Sequence, residues 1–328
     1  MKKVLTLILA LALTLSMLSA CSIGNGGDKN EGENKKLSIG YLAGPTGMGM
    51  AKLISDTAED SEKYAFTAYT DPNTATPDLL NGTLDLVCLP TNAAANLFNK
   101  GKDISVVAVN TLGSLFIIAD KNTNIESISD LEGKTIYASV PGSTTEPILK
   151  YILEENNVNA VIEVDSATHD DLVAKVKNSN GSAIAILPEP KVSAALMKAS
   201  NYEVKLNISE EWDKISDQPL AMGCIVARND VLKNNKSELD AFLTDYKSSV
   251  DYIAATENRE SAAQIIYNVG IIPQLPIATS ALTNLDGAIV LITGQDMTNV
   301  LQKFYSVLLS SSPASIGEKM PADTFYYD

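Results

Sequence analysis

Four short segments carry residue types that could grip a small molecule. They are Gly44-Pro45-Thr46-Gly47, Leu89-Pro90-Thr91-Asn92, Pro141-Gly142-Ser143-Thr144-Thr145 and Leu187-Pro188-Glu189-Pro190. Each stands where an apolar, strand-like run gives way to a helical pattern. A helix start offers unpaired backbone N–H groups, and a hydroxyl or amide beside it adds a donor or acceptor. Glycine lets a backbone approach a ligand closely. The candidate ligand-binding residues are therefore Pro45, Thr46, Gly47, Met48, Thr91, Asn92, Ser143, Thr144 and Glu189. Any one junction taken alone is also an ordinary capped helix. Met48 and Met50 can line an adaptable pocket or fill core; Met50 reads as core and Met48 stays open. Glu189, between two prolines, can accept from a ligand N–H or simply sit favourably at a helix N-terminus.

Catalytic chemistry finds little material. The single histidine, His169, lies in Thr168-His169-Asp170-Asp171, where Thr168 and Asp171 approximate a capping box. A helix N-terminus disfavours a protonated imidazole. No catalytic residue, no metal site and no cofactor are expected. No serine stands in a nucleophile-elbow pattern. Gly47-Met48-Gly49 lacks the further glycine and lysine of a phosphate-binding loop.

The elements that must position these junctions alternate along the chain. Strands are expected at 37–42, 64–69, 84–89, 104–109, 112–119, 134–138, 160–164 and 183–187, with an edge strand at 202–206 and a long apolar run at 219–227. Helices are expected at 48–57, from Thr76-Pro77-Asp78, at 91–99, at 145–156, from about Thr168, and at 191–199. Such alternation predicts mainly parallel α/β sheets with covered faces, whose ligands bind beyond the carboxyl ends of the strands. In the C-terminal third, Leu239, Phe242, Leu243, Tyr246, Val250 and Ile253 mark one buried helix face, with Ser237 as N-cap, and Val300, Leu301, Phe304, Leu308 and Leu309 mark another. Two lobes are expected: 37–111 with 219–328, and 112–218, joined by two crossings.

The 328 residues carry a formal charge of −15. That surface repels nucleic acid and gains nothing from anionic lipid. At the N-terminus, Met1-Lys2-Lys3 precedes an apolar run from Val4 to Ala20, which reads as a secretory signal and is shorter than the roughly 20 residues of a membrane span. Leu18-Ser19-Ala20-Cys21 resembles the lipobox of bacterial lipoproteins, which implies a diacylglyceryl and palmitate-bearing Cys21 after removal of 1–20. Residues 21–36 are then a polar, glycine-rich tether. Cys88 and Cys224 read as buried strand positions and free thiols; an exported compartment permits a disulfide, but spacing does not supply its geometry.

With these features in place, the chain resembles an ABC transporter substrate-binding lipoprotein of the nitrate/sulfonate/taurine and thiamine-pyrimidine-precursor group. The residues carrying the likeness are Gly44 to Leu53, Asn81-Gly82-Thr83-Leu84-Asp85-Leu86, Leu131 to Ile136 leading into Pro141 to Thr145, Leu187 to Pro190, Pro313 to Gly317 and Met320 to Tyr327. The resemblance implies a two-lobed periplasmic-binding-protein-like fold of type II with a ligand cleft between the lobes. It implies a monomer that hands a small solute to a permease and its ATPase subunits, tethered to the extracytoplasmic face of the membrane. Only Arg228 and Arg259 exist, and neither falls in a junction, so an arginine fork on an anion is not expected. A sulfonate-like anion held by helix N-termini and a pyrimidine-like heterocycle fit equally. A solute sensor for a membrane receptor kinase and an extracellular enzyme on the same fold are the alternatives. The enzyme is disfavoured because the histidine-bearing site of the related pyrimidine-precursor synthases is missing.

Overall fold

A computed structural model describes residues 36–58 and 62–327. The expected signal segment, Cys21 and the tether as far as residue 35 lie outside the described residues. Eleven strands form two sheets among the described residues. The six-stranded sheet contains β1 (Leu37–Leu42), β2 (Tyr64–Tyr69), β3 (Leu86–Pro90), β4 (Ile104–Leu112), β10 (Ala221–Arg228) and β11 (Ile289–Ile292), in the order β11-β4-β10-β3-β1-β2. The five-stranded sheet contains β5 (Leu115–Asp120), β6 (Thr135–Ser139), β7 (Val161–Ser166), β8 (Ile184–Pro188) and β9 (Tyr202–Asn207), in the order β7-β6-β8-β5-β9. The chain therefore passes from the first sheet to the second between Leu112 and Leu115, and returns between Asn207 and Ala221.

The sheets are mixed rather than mainly parallel. β1 runs parallel to β2 and β3, and β6 runs parallel to β7 and β8. The strands flanking the passages are reversed: β10 is antiparallel to both β3 and β4, and β5 is antiparallel to both β8 and β9. A strand that delivers the chain into a sheet from its neighbour enters from the opposite edge, and hydropathy alone does not encode that direction. The parallel members matter for the site, because parallel strands end at one edge of the sheet.

Thirteen α-helices cover these faces among the described residues: α1 (Pro45–Met48), α2 (Ala51–Thr57), α3 (Pro72–Leu80), α4 (Thr91–Asn99), α5 (Thr145–Glu155), α6 (His169–Asn178), α7 (Lys191–Lys198), α8 (Ile208–Asp213), α9 (Asn229–Asn234), α10 (Lys236–Ala254), α11 (Arg259–Asn268), α12 (Leu275–Asn284) and α13 (Gly294–Ser311). Two expected starts move. α3 begins at Pro72 instead of Thr76, because the Asp71 carboxylate accepts from Asn73 N and Pro72 supplies a pre-set first turn. α10 begins at Lys236, with Asn235 at the cap position and Ser237 already inside. The expected helix at 48–57 is two pieces, separated by a turn at Gly49-Met50.

Three apolar clusters organise the packing. One fills the outer face of the first sheet against α2, α10, α11 and α12, and includes Met48, Met50, Tyr246 and Cys88. A smaller one covers a face of the second sheet under α6 and α7. The largest is shared by both sheets and includes Cys224. Within it α13 packs on α5. Trp212 of α8 is fully buried there, with its ring 5.5 Å from Tyr151 and 6.1 Å from Phe304. Its indole Nε1 donates to Gln218 O at 2.7 Å. Phe304 belongs to α13, beside the first sheet, whereas Tyr151 belongs to α5, beside the second. Trp212 is thus an apolar bolt between the two halves. Cys88 and Cys224 are free and buried, and they face opposite sides of the first sheet.

Candidate functional site

The junctions after β1 and β3 meet on β10. Pro45 opens α1, and Gly44 O accepts from the N–H groups of Gly47 and Met48. Gly47 has no room for a side chain: a Cβ there would stand 2.4 Å from Leu42 O. Buried Asn110, from β4, donates through Nδ2 to Thr46 O at 2.9 Å. Gly223 of β10 leaves space for Thr46, since a Cβ at Gly223 would stand 2.5 Å from Thr46 Cγ2 and 2.8 Å from Asn110 Oδ1. Close by, Thr91 donates its hydroxyl to Ala221 O at 2.9 Å, and its own carbonyl accepts from the Tyr305 hydroxyl at 2.9 Å.

This placement sorts the first group of candidate residues. Pro45, Thr46 and Asn92 are half-buried. The Thr46 hydroxyl and the Asn92 amide have no hydrogen-bond partner among the described residues. Thr91 is 1% exposed, and its hydroxyl already ties α4 to β10, so it serves the scaffold. Met48 is 0% exposed and packed in the core with Met50. Its thioether fills space beneath α1 and does not line a ligand wall.

In the second sheet, three junctions open at one edge, after the parallel strands β6, β7 and β8. Ser143 and Thr144 are half-buried ahead of α5. Thr144 holds the cap position without making a side-chain cap bond. Ser143 Oγ lies 3.5 Å from Ser139 O, too far for more than a weak bond. The loop turns through Val140, whose φ is 59°. A β-branched residue in the left-handed region is strained, and such residues cluster at functional sites.

The junction after β7, Ser166-Ala167-Thr168-His169, holds what sequence reasoning missed. Thr168 and Asp171 make the expected capping box. The capped helix also aims the His169 ring at Ser139, whose Oγ lies 2.7 Å from Nδ1. Ser139 is the last residue of β6 and 1% exposed. Burial, with the Lys191 ammonium nearby, holds the imidazole below its ordinary pKa, so it is neutral at pH 7. Lys191 in turn is bound to Asp170 at 2.7 Å, and that bond lowers the Asp170 carboxyl. The signal for the pair was present only as spacing: His169 follows a strand that neighbours the strand ending in Ser139.

Glu189 is 1% exposed and fully engaged. Oε1 accepts from Ser193 Oγ at 3.0 Å and from Asn284 Nδ2 at 2.5 Å, and Oε2 accepts from Ser193 N at 3.3 Å. Burial raises its pKa, against the opposing effect of these donors. Its burial, with three donors already supplied from within the chain, closes it off from solvent in this arrangement. Both arginines are paired, Arg228 with Asp85 and Asp230, and Arg259 with Asp286. No group of three or more His, Cys, Asp or Glu is placed to hold a metal among the described residues. The described helices include none long and apolar enough to cross a membrane.

Solved structures share this architecture. An ABC transporter protein from Parabacteroides distasonis superposes with a TM-score of 0.75 at 18% identity, covering 89% of this chain and 99% of that one. The periplasmic aliphatic sulphonate binding protein from Escherichia coli gives 0.71 at 18% identity, covering 89% and 92%. The periplasmic nitrate-binding protein from Synechocystis gives 0.60 at 14% identity, covering 86% and 84%. No curated protein matches the sequence. The fold is the two-lobed, periplasmic-binding-protein-like type II fold, with one sheet in each lobe. A sequence-family model described as menaquinone biosynthesis matches residues 48–271, more than half of the chain, and the protein belongs to that family.

Proposed function

We propose that the protein is the extracytoplasmic solute-binding component of an ABC importer. It captures a small organic molecule between its lobes, 37–111 with 219–328 and 112–218, and delivers it to a permease with ATPase subunits. The observation that carries this reading is the set of unpartnered side-chain groups at the strand edges of both sheets among the described residues: the Thr46 hydroxyl and Asn92 amide on one, and the Thr144 hydroxyl on the other. The likeness to sulphonate- and nitrate-binding proteins supports it. The ligand-facing set becomes Pro45, Thr46, the Gly47 backbone, Asn92, Ser143 and Thr144. With both arginines paired, the solute is a sulfonate-like anion held by helix starts or an uncharged heterocycle. Lipidation at Cys21 would hold the protein, as a monomer, at the outer face of the membrane.

The test is native mass spectrometry of the full chain, followed by titration with ethanesulfonate and a pyrimidine. Binding without turnover, weakened by the double substitution Thr46→Ala and Thr144→Ala, is the expected result. Unchanged affinity in that variant would remove the proposed site.

A second reading has its own observation. The family description names a biosynthetic route, and at the Ser139–His169 pair an imidazole and a hydroxyl meet at a strand edge. An enzyme would return a bound compound with altered mass after incubation, whereas a receptor would return it unchanged.

A further inference from the structure

Glu189 has partners on both sides of the molecule. Its N–H donates to Ser114 O at 2.8 Å, which sets it beside the passage from β4 to β5. Its buried carboxylate accepts three hydrogen bonds, two from Ser193 and one from Asn284. A carboxylate out of water is tolerated only when protein donors replace the lost solvent. Ser193 lies four residues on, in α7, so its two donors travel with Glu189 in any arrangement of the lobes. Asn284 is the last residue of α12, which packs with the first sheet. Its donor reaches Glu189 only while the lobes hold this arrangement. Around it α7 packs on α12, and a groove of about 270 Å³ separates Lys191, Ala194, Met197 and Lys198 from Ile272 and Gln274.

We propose that Glu189 and Asn284 form a lock between the lobes, a hydrogen bond that holds this arrangement and breaks when the lobes part. No charged side chain lies on α12, whose sequence is Leu-Pro-Ile-Ala-Thr-Ser-Ala-Leu-Thr-Asn. The charges on either side are bound to each other, Lys191 to Asp170 and Arg259 to Asp286. The Asn284 amide therefore has no rival for the carboxylate. Parting the lobes would leave Oε1 one donor short and admit water to it. The purpose of that motion, admitting and releasing solute, rests on the receptor reading; the lock itself is independent of any solute.

Hydrogen–deuterium exchange of the full chain, without added solute, tests it. In Asn284→Ala the donor is gone, and in Asn284→Asp a second carboxylate faces the first. Both should speed exchange several-fold, not only in 191–198 and 275–284 but also at 44–48 and 139–145, which border the cleft and touch neither residue. The effect should be larger in Asn284→Asp. The double variant E189Q/N284D reverses donor and acceptor and should restore slow exchange. Wild-type exchange at 44–48 and 139–145 in both single variants would overturn the lock, as would faster exchange confined to 275–284 that the double variant does not rescue. Should Asn284→Asp fail to fold, Asn284→Ala decides alone. Failure to find any bound solute would sink the receptor reading and leave these rates unaffected.

Discussion

The two lobes touch in two chemically opposite ways. On one side Tyr151, Trp212 and Phe304 pack ring against ring inside a core common to both sheets. On the other, where α7 packs on α12, a carboxylate reaches across to an asparagine amide. Apolar burial is additive in area and does not require one geometry, at about 25 cal/mol per Å². A hydrogen bond needs its geometry and, even to a charged group, nets only about 1.5–3 kcal/mol, because water competes for both partners. The ring contact therefore keeps the halves together, while the polar one can distinguish one arrangement from another at little cost. In the proposed lock, the first kind would keep the protein folded while the second breaks.

The contrast can be broken most forcefully at the bolt. Trp212→Ala should cost about 3–5 kcal/mol by removing a fully buried indole that the surroundings cannot refill. Urea denaturation measures it, and a loss below about 1 kcal/mol would show that the ring contact does not join the lobes. Ser193→Ala comes next. It strips one of the donors from a buried charged acceptor, for an expected loss of about 1.5–3 kcal/mol, well below the effect at Trp212.

Acid–base linkage sharpens the comparison further. The folded-state pKa of Glu189 is raised above 4.5 by burial, so the folded protein binds more protons than the unfolded chain in that window. Stability from this group is then greatest at low pH and declines as pH rises from about 4.5 through the raised value. Denaturation midpoints of wild type and Glu189→Gln should diverge over that interval, and parallel curves would refute the linkage. His169 has the opposite sign and the smallest effect. Its lowered pKa makes the folded state bind fewer protons, so its contribution is present above 6.5 and is lost as pH falls through the lowered value. Because the chain has one histidine, a single imidazole NMR signal reports that pKa, and a value at or above 6.5 would contradict the burial.

Much of the scaffold was legible from periodicity. β1 at 37–42, β2 at 64–69 and α4 at 91–99 have the bounds that their apolar runs predict, and the alternation around Pro188 located the turn into α7. Strand direction was not legible, since Pro219–Ala227 reads the same whether β10 runs with β3 or against it. At the site, residue type marked the right loops but not the use of each side chain. Thr46 and Thr91 are both threonines at helix starts. Only the carbonyl of Ala221, more than a hundred residues downstream, claims one of the two hydroxyls. Glu189 and Asn284 are ninety-five positions apart, and Ser139 and His169 meet through two neighbouring strand ends. Contacts of that kind arise from topology, which local pattern cannot supply.

The opposed orientation of the two cysteines has a consequence for thiol–disulfide exchange. Cys88 and Cys224 sit one position out of register on adjacent strands, where Ile225 is the partner of Cys88 and Leu89 the partner of Cys224. The sheet itself therefore stands between their sulfurs. Burial also pushes the Cys88 thiol up to about 12, which leaves only about one molecule in 100,000 as the thiolate that thiol–disulfide exchange requires at pH 7. In the folded protein the sheet that carries Cys88 and Cys224 therefore keeps the two apart as thiols.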